Sequence, residues 1–290
     1  MPAFERAPVT TPDDEAWPSA RVAADPAAVR RLKLQRRLAL LHPKFWLPFT
    51  VLLVALGFAW NAAAEQWPYL LPPLGDVAQV LTEQPGYFAE NAGMTLLEAV
   101  LGLLIGFVAA TSLAVLVSES PLARRAFMPF AVVLNVTPLV AIAPVLVVAF
   151  GFGMTPKLVL TSLICFFPIL INTSVGLRAV SRQTLQVFAS MDASRWEVLR
   201  HVRIPGALPY VFAALQIVFP LSVIGAVVAE LSASGSASGL GTTITVASSM
   251  NRMATVWAAI FVLAVMGALM LLVVTWLEKK VLFWREPDEW

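Results

Sequence analysis

Six long apolar stretches, separated by polar connections, constrain this chain more than any other feature of its sequence. Crossing a bilayer as a helix takes about 20 apolar residues. Lipid offers no hydrogen-bond partners, so each stretch satisfies its backbone groups only as a helix. The alternating ten-residue strands typical of a membrane β-barrel are absent. We therefore predict an all-α membrane protein with about six transmembrane helices, at residues 45–63, 94–118, 125–150, 156–177, 210–231 and 255–277.

Lysine and arginine residues lie almost entirely on one side of this arrangement. Eighteen of the 20 precede the first span, separate the second from the third, occupy the long connection after the fourth, or follow the sixth. Only Lys157 and Arg252 fall on the opposite side. Because cytoplasmic loops are enriched in basic residues, both termini and the long connection are predicted to be cytoplasmic.

The two ends of the chain differ in character from the transmembrane domain, which we assign to residues 45–283. Residues 1–29 are rich in Pro, Ala and acidic residues and are predicted to be a disordered cytoplasmic tail. Residues 30–44 interleave Leu with Arg and Lys, which predicts a helix at the inner membrane surface; charges that only set topology are the open alternative. Residues 284–290 are expected to be a cytoplasmic tail. Nothing in the charge distribution supports nucleic-acid binding.

The long connection, residues 179–208, is polar and basic but has its own apolar pattern. Apolar residues at helical spacing predict two short helices, residues 181–191 and 193–202. Asp192 between them tolerates a turn conformation. Either Asp192 or Ser194, which forms a capping-box pattern with Glu197, is expected to cap the second helix. Pro205 and Pro209 are expected to end that helix.

Several strings in this chain resemble one transporter family. ASRWEVLRHVRIPGALP (residues 193–209) resembles the characteristic cytoplasmic loop of permease subunits of type I ABC importers. AIAPVLVVAFGFG (141–153), FFPILINTSVGLR (166–178), VIGAVVAEL (223–231) and GLG (239–241) are similar to its nitrate/sulfonate/taurine branch, which includes permeases for pyrimidine precursors of thiamine. The chain departs from the family in two places: the usual Glu-Ala-Ala falls on Gln186-Val187-Phe188, and the usual Gly falls on Asp192.

The resemblance implies a type I ABC importer permease fold in the bacterial inner membrane. It also implies a homodimer of permeases, two copies of an ATPase subunit, an extracytoplasmic solute-binding protein, and import of a small organic or anionic solute of the sulfonate, taurine, nitrate or pyrimidine-precursor class. In the family the loop forms coupling helices that insert into a groove of the ATPase. The residues assigned to coupling are Gln186, Phe188, Met191, Asp192, Ala193, Ser194, Arg195, Trp196, Glu197, Arg200, Ile204 and Pro205.

The chain lacks the sequence elements of an ATP site. A P-loop ends in Gly-Lys-Ser or Gly-Lys-Thr, and none of the five lysines follows a glycine. We expect no catalytic residue and no cofactor in this chain, with ATP and Mg bound by the partner ATPase. The two histidines and the single Cys165 are too far apart in the predicted topology for a metal site.

Two other function classes remain as alternatives. A single-chain ion-coupled transporter typically has inverted repeats and mid-membrane carboxylates, and we find no such repeat or midplane acid in the sequence. An intramembrane hydrolase needs a Ser–His pair, but both histidines are predicted to be cytoplasmic whereas the Ser-rich segment 232–241 is predicted to be outside.

Polar residues inside the spans are candidates for the translocation pathway. Glu98 is placed about one turn inside the second span, and its alternative is to reach the outer interface. Many sulfonate-type relatives have Arg there, so an acid favours the pyrimidine-precursor type. Glu230 is expected to pair with Arg252 or to be solvated. For the uncharged members, hydrogen bonds between helices are the alternative. The candidates are Asn135, Thr137, Asn172, Thr173, Gln216, Ser222, Glu98 and Glu230.

Overall fold

The computed structural model describes residues 43–232 and 238–283, which contain helices, turns and no strand. A 3₁₀ turn (Leu139–Ile142) precedes α5, and a π-helical turn (Leu199–Arg203) precedes α9. The predictions for residues 1–29, 30–42 and 284–290 concern parts of the chain outside the described residues. The helices are α1 (Pro43–Gln66), α2 (Leu74–Glu83), α3 (Pro85–Glu119), α4 (Pro121–Val136), α5 (Ala143–Phe150), α6 (Met154–Gly176), α7 (Arg182–Ser190), α8 (Arg195–Val198), α9 (Ile204–Ser232), α10 (Leu240–Ser249) and α11 (Met253–Val281).

Five helical segments in the described residues are long and apolar enough to cross a membrane, and a bent pair gives a sixth. The five are Leu47–Gln66, Pro85–Glu119, Met154–Gly176, Arg195–Ser232 and Met253–Val281. The predicted count of about six spans is therefore confirmed. The helices also extend beyond the predicted apolar segments, because a helix continues past the residues that face lipid. Thus α3 begins at Pro85 rather than at residue 94, and proline is well tolerated at a first helical position.

The third predicted span, residues 125–150, is not one straight helix. Residues Pro121–Val136 and Leu139–Phe150 meet at an angle of 87°. Thr137 at the break is extended, with φ −71° and ψ 133°. It precedes Pro138, and a residue before proline is pushed out of the helical region, while proline itself cannot donate a backbone hydrogen bond. The third predicted span is therefore a bent pair of helical segments, because one X-Pro step outweighs the apolar pattern around it.

The chain divides into two units, residues 1–63 and 64–290. In the first unit the structure describes most of α1, an apolar helix with Pro48 in its interior. In the second unit α3, α6 and α9 form the centre, and their side chains include the fully buried Cys165, Ile169 and Val218. Cys165 is thus the small buried apolar residue that its position in the fourth span predicted.

Two glycines let α3 and α6 approach closely. A Cβ atom added to Gly102 would lie 2.5 Å from Thr161 Cβ, and one added to Gly106 would lie 2.6 Å from Ser162 O. Small residues four apart allow this kind of contact between membrane helices. The GxxxG pair therefore serves helix packing, and its partner is a helix of the same chain.

Two short helices, α2 and α10, were not predicted. Val77 of α2 and Leu240 of α10 belong to a buried cluster that includes Ala258 and Met266 of α11. The indole N–H of Trp257 also donates to Leu70 O at 3.0 Å, just before α2. Each helix has ten residues, which is too few to span a membrane, so neither forms one of the long apolar stretches that predict a span.

Candidate functional site

The connection between α6 and α9 folds into a well-defined turn after α7. Asp192 has φ +54°, and its N–H donates to Ala189 O at 3.2 Å. Ala193 N–H donates to Phe188 O at 3.1 Å. These two bonds form a Schellman motif, in which a left-handed residue closes the helix. The predicted turn at Asp192 is confirmed, and Asp adopts there a conformation that is more often given to Gly.

The start of α8 resolves which residue caps it. Glu197 N–H donates to Ser194 Oγ at 3.3 Å, and Ser194 N–H donates to Glu197 Oε2 at 2.8 Å. This reciprocal pair is a capping box, which satisfies backbone donors that a helix N-terminus leaves free. Ser194, and not Asp192, is therefore the N-cap.

The predicted end of the second helix at Pro205 and Pro209 was wrong. After α8 the π-helical turn Leu199–Arg203 leads directly into α9, so that residues Arg195–Ser232 form one helical run. In this turn Ile204 N–H donates to Leu199 O, five residues earlier. Pro205 has no backbone N–H to donate. The wider turn changes the pairing of backbone hydrogen bonds immediately before it. The loop is therefore continuous with a transmembrane helix.

The loop presents apolar side chains at its surface. Met191 is 70% exposed and Trp196 is 65% exposed, whereas Phe188 is half-buried. Exposed large apolar side chains beside polar ones are a common mark of a docking surface. Of the other residues assigned to coupling, Ala193 is half-buried and the rest are exposed: Gln186, Asp192, Ser194, Arg195, Glu197, Arg200, Ile204 and Pro205.

An ion pair ties this loop to the end of α3. Arg203 Nη1 lies 2.7 Å from Glu119 Oε1, and both side chains are half-buried. A cavity of about 410 Å³ beside the pair is lined by both segments, including Leu185 and Ala189 of α7 and Pro121 at the start of α4. Sequence reasoning missed the pair, because its members are 84 residues apart and each looks like an ordinary surface charge.

A second polar cluster lies inside the protein. Lys157 Nζ donates to Glu98 Oε1 at 2.7 Å, and the two side chains are 2% and 0% exposed. The alternative that Glu98 reaches the outer interface is therefore wrong. Because α3 starts at Pro85, Glu98 lies more than three turns into its helix instead of one. Lys157 is buried in the first turn of α6 and is not an exposed residue of the outer connection.

Glu230 joins the same cluster from α9. Its Oε1 accepts from Thr95 Oγ1 at 2.7 Å, its Oε2 accepts from Gly241 N–H, and its carboxyl group lies beside that of Glu98. The expected pairing with Arg252, or exposure to solvent, was wrong: Glu230 is 0% exposed, and Arg252 is exposed elsewhere at the start of α11.

The beginning of α10 is capped entirely by this cluster. Gly239 N–H donates to Asn91 Oδ1 and Leu240 N–H donates to Thr95 Oγ1, both at 2.8 Å, beside the bond from Gly241 to Glu230. A helix N-terminus carries unpaired N–H groups and a partial positive charge. The hydroxyl of Thr95 and the carboxylate of Glu230 each accept one of these N–H groups, and the negative charge of the carboxylate is attracted to the partial positive charge. The sequence analysis named Glu98 and Glu230 of this cluster but missed Asn91, Thr95 and Lys157 as functional residues.

The uncharged pathway candidates are not gathered in one place. Thr173 and Ser222 are buried, Asn135 is exposed, and the other three are half-buried. Three of the six donate to a carbonyl of the same helix: Thr137 to Val133 O, Asn172 to Pro168 O and Ser222 to Phe219 O, at 2.9, 2.8 and 2.7 Å. Gln216 instead donates to Glu278 of α11. None of the eight predicted pathway residues lines the cavities near α3, α4 and α7.

Comparison with known proteins places this geometry in context. The family model described as "Binding-protein-dependent transport system inner membrane component" matches residues 102–283. The chain is 32% identical over 248 residues to the formylaminopyrimidine transport permease protein ThiX of Halalkalibacterium halodurans, which covers 82% of this chain and 96% of the relative. It is 28% identical over 243 residues to the taurine transport system permease protein TauC of Escherichia coli, with 81% and 88% covered.

Among solved structures, the chain resembles the MetNI methionine ABC transporter in inward-facing conformations. The TM-score is 0.56 at 18% sequence identity, and the match covers 64% of this chain and 92% of that chain. A likeness at this level of identity bears on the fold alone.

Proposed function

Because this chain belongs to the family of binding-protein-dependent transport system inner membrane components, the permeases of ABC importers, we propose that it forms the pathway through which a separate ATPase drives solute import. Its fold is that of an ABC importer permease, and it is a multi-pass protein of the bacterial inner membrane. We also propose its partners, the direction of transport and the class of solute.

The observation that carries the proposal is the architecture of the loop from α7 to α9. It exposes Met191 and Trp196 on a frame that is fixed by a Schellman motif and a capping box. Burying such a side chain at an interface is worth roughly 1.5–3 kcal/mol. We propose that these two side chains enter a groove of the ATPase subunit, as the coupling loop of the family does.

The same loop has two mechanical connections to the spans. Trp196 and Glu230 belong to one helical run, Arg195–Ser232, so a displacement at the docking surface reaches the buried cluster at the other end, roughly 50 Å away. Arg203 also forms an ion pair with Glu119, so a movement of the loop would be passed to the turn between α3 and α4. When ATP closes the ATPase pair, α9 and the α3–α4 turn would move together, and the pathway would change the side to which it opens.

The partners follow from this role. We propose two ATPase subunits below a homodimer of this chain, with a solute-binding protein docking on the outer side. ATP and Mg would be held by the ATPase subunits. The distribution of basic residues supports a cytoplasmic position for the α7–α9 loop, where an ATPase is available. The twelve coupling residues and the eight pathway residues named above remain proposals, and the loop set has the stronger structural support.

The solute class is a small organic or anionic molecule. The relatives are named for formylaminopyrimidine, taurine and aliphatic sulfonates. Glu98 no longer favours one of these classes, because it is fully buried and paired with Lys157. The binding protein is therefore expected to select the solute.

The test is reconstitution of this chain in proteoliposomes with its cognate ATPase subunit and binding protein. We expect no ATP hydrolysis by the chain alone, and hydrolysis with solute uptake when all three proteins are present. The same three-protein mixture, made with a catalytically inactive ATPase subunit, serves as the control. Uptake driven by a proton or sodium gradient without ATP would support the ion-coupled alternative and reject this proposal.

A further inference from the structure

A basic cavity of about 800 Å³ lies where the end of α3, the start of α4 and the end of α6 meet. Arg124, Arg125 and Arg178 line it together with apolar side chains from Val117, Met128 and Val132. This end of the helices is the one that the distribution of basic residues assigns to the cytoplasm. We call this site the inner arginine cavity.

Among the residues that the structure describes, none neutralises the positive charge of the inner arginine cavity. No carboxylate lines it, and within the described part of the chain no acidic side chain lies within salt-bridge distance of its three arginines. Glu119, which precedes α4, is bound to Arg203 instead. Burial and the charge of Arg124 lower the pKa of Arg178 from its ordinary value. Two guanidinium groups that approach each other without an anion are costly, and an anion would relieve that cost.

Arg178 is also held in place for such a ligand. Its Nε donates to Ser174 O at 3.1 Å, one turn back in the chain. The bond uses Nε alone, so the two terminal nitrogens do not take part in it. Guanidinium groups bind phosphate oxygens through paired N–H donors, which makes arginine well suited to this chemistry.

We propose that the inner arginine cavity binds the phosphate headgroup of an anionic phospholipid from the inner leaflet. The apolar wall decides between a lipid and a free anion. Val132 is 51% exposed on α4, which belongs to the bent pair that gives the sixth candidate span, and Val117 and Met128 continue the wall beside the arginines. A free phosphate ion has no apolar group to pack against this wall, whereas a phospholipid would pack its glycerol and first methylene groups there.

The experiment measures binding of phosphatidylglycerol to the detergent-purified chain by native mass spectrometry. Phosphatidylcholine and inorganic phosphate are the comparison ligands. Three double variants are compared with the wild type: Arg124→Gln with Arg178→Gln, Arg124→Lys with Arg178→Lys, and the matched control Arg182→Gln with Lys279→Gln. The control removes two exposed positive charges from the same predicted side of the membrane, outside the cavity.

We expect the double Gln variant to bind phosphatidylglycerol about tenfold more weakly or worse, and the double Lys and control variants to bind it nearly as wild type does. Phosphatidylcholine binding should not change. Equal phosphatidylglycerol binding by wild type and the double Gln variant would overturn the proposal, as would inorganic phosphate competing at equal concentration. If the double Gln variant does not fold, Arg125→Gln, at an exposed position, makes the same test. The readout uses this chain alone, so it is independent of the ATPase and the solute.

Discussion

Lys157 and Glu98 form a fully buried ion pair, with 2.7 Å between Nζ and Oε1, that joins α6 to α3. Glu230 brings a second carboxylate from α9 to the same place, and Thr95 and Gly241 bind it there. Taking charges out of water is expensive, so such a pair persists only with good geometry and additional hydrogen bonds. The cluster therefore fixes how three transmembrane helices and the start of α10 fit together.

Lys157→Met should strongly destabilise the protein. It leaves two neighbouring carboxylates buried without a counter-charge, and breaking a buried pair in this way costs about 3–5 kcal/mol. The thermal unfolding midpoint of the purified chain in detergent measures the effect. Adding Glu98→Gln to Lys157→Met should recover much of the loss, and Lys279→Met, at an exposed position, should have little effect. Equal midpoints for wild type and Lys157→Met would contradict the assigned role of the pair.

Gly241→Ala should loosen α10. The added Cβ would lie 2.8 Å from Glu230 Cβ and equally near Val227 O, and overpacking of this kind costs typically 1–3 kcal/mol. Hydrogen exchange of the amides in α10 measures the loosening. Gly93→Ala is the matched control, because a Cβ there meets nothing within 4 Å and lies in a helix interior. If both variants exchange like wild type, the close fit of Gly241 against Glu230 is not needed.

The sequence predicted those parts of the fold that depend on near neighbours. The apolar spans follow from composition, and the turn at Asp192 and the capping box of Ser194 and Glu197 follow from local chemistry. Gly102 and Gly106 are likewise only four residues apart, and small residues at this spacing are typical of close helix contacts. These features need no knowledge of what lies far away in the chain.

The parts that failed depend on distant partners or on the local backbone geometry. Lys157 and Glu98 are 59 residues apart, and Thr95 and Glu230 are 135 residues apart. Each residue alone looks like a topological charge or a helix end, so Glu230 was expected either to pair with Arg252 or to be solvated. Pro205 shows the second kind of failure. Proline by its own preference ends a helix, but here a π-helical turn precedes it and the helix continues through it.

Cysteine labelling tests the predicted orientation. In a Cys165→Ala background, a cysteine at exposed Ser190 should react with a membrane-impermeant thiol reagent only from the cytoplasmic side. Cysteines at exposed Gln84 and Ser248 should react only from outside. Inverted and right-side-out vesicles provide the two sides. Labelling of position 190 from outside would contradict both the orientation and the docking role of the loop.

Trp196→Ala should weaken binding of the ATPase subunit by at least about tenfold, because truncating a central aromatic anchor costs roughly 2 kcal/mol or more. The indole is 65% exposed in the free chain, so its removal should leave the permease folded. Copurification of the ATPase, alongside the permease's own unfolding midpoint, separates the two effects. Asp192→Gly is the matched control in the same loop, since φ +54° suits glycine and binding should persist. A collapse of the Trp196→Ala permease itself would show that the side chain is structural.

Glu119→Gln should separate docking of the ATPase from its activation. The half-buried ion pair with Arg203 links the loop to the α3–α4 turn, while Met191 and Trp196 remain exposed on the other part of the loop. We therefore expect near-normal binding of the ATPase subunit but a severalfold lower stimulation of its hydrolysis by the solute-loaded binding protein. The cost in stability should be small, about 1 kcal/mol or less for a pair that water reaches. The exchanged pair, Glu119→Arg with Arg203→Glu, should recover stimulation if the link itself is what matters. Full stimulation in Glu119→Gln would mean that the helical run from Trp196 into α9 carries the coupling alone.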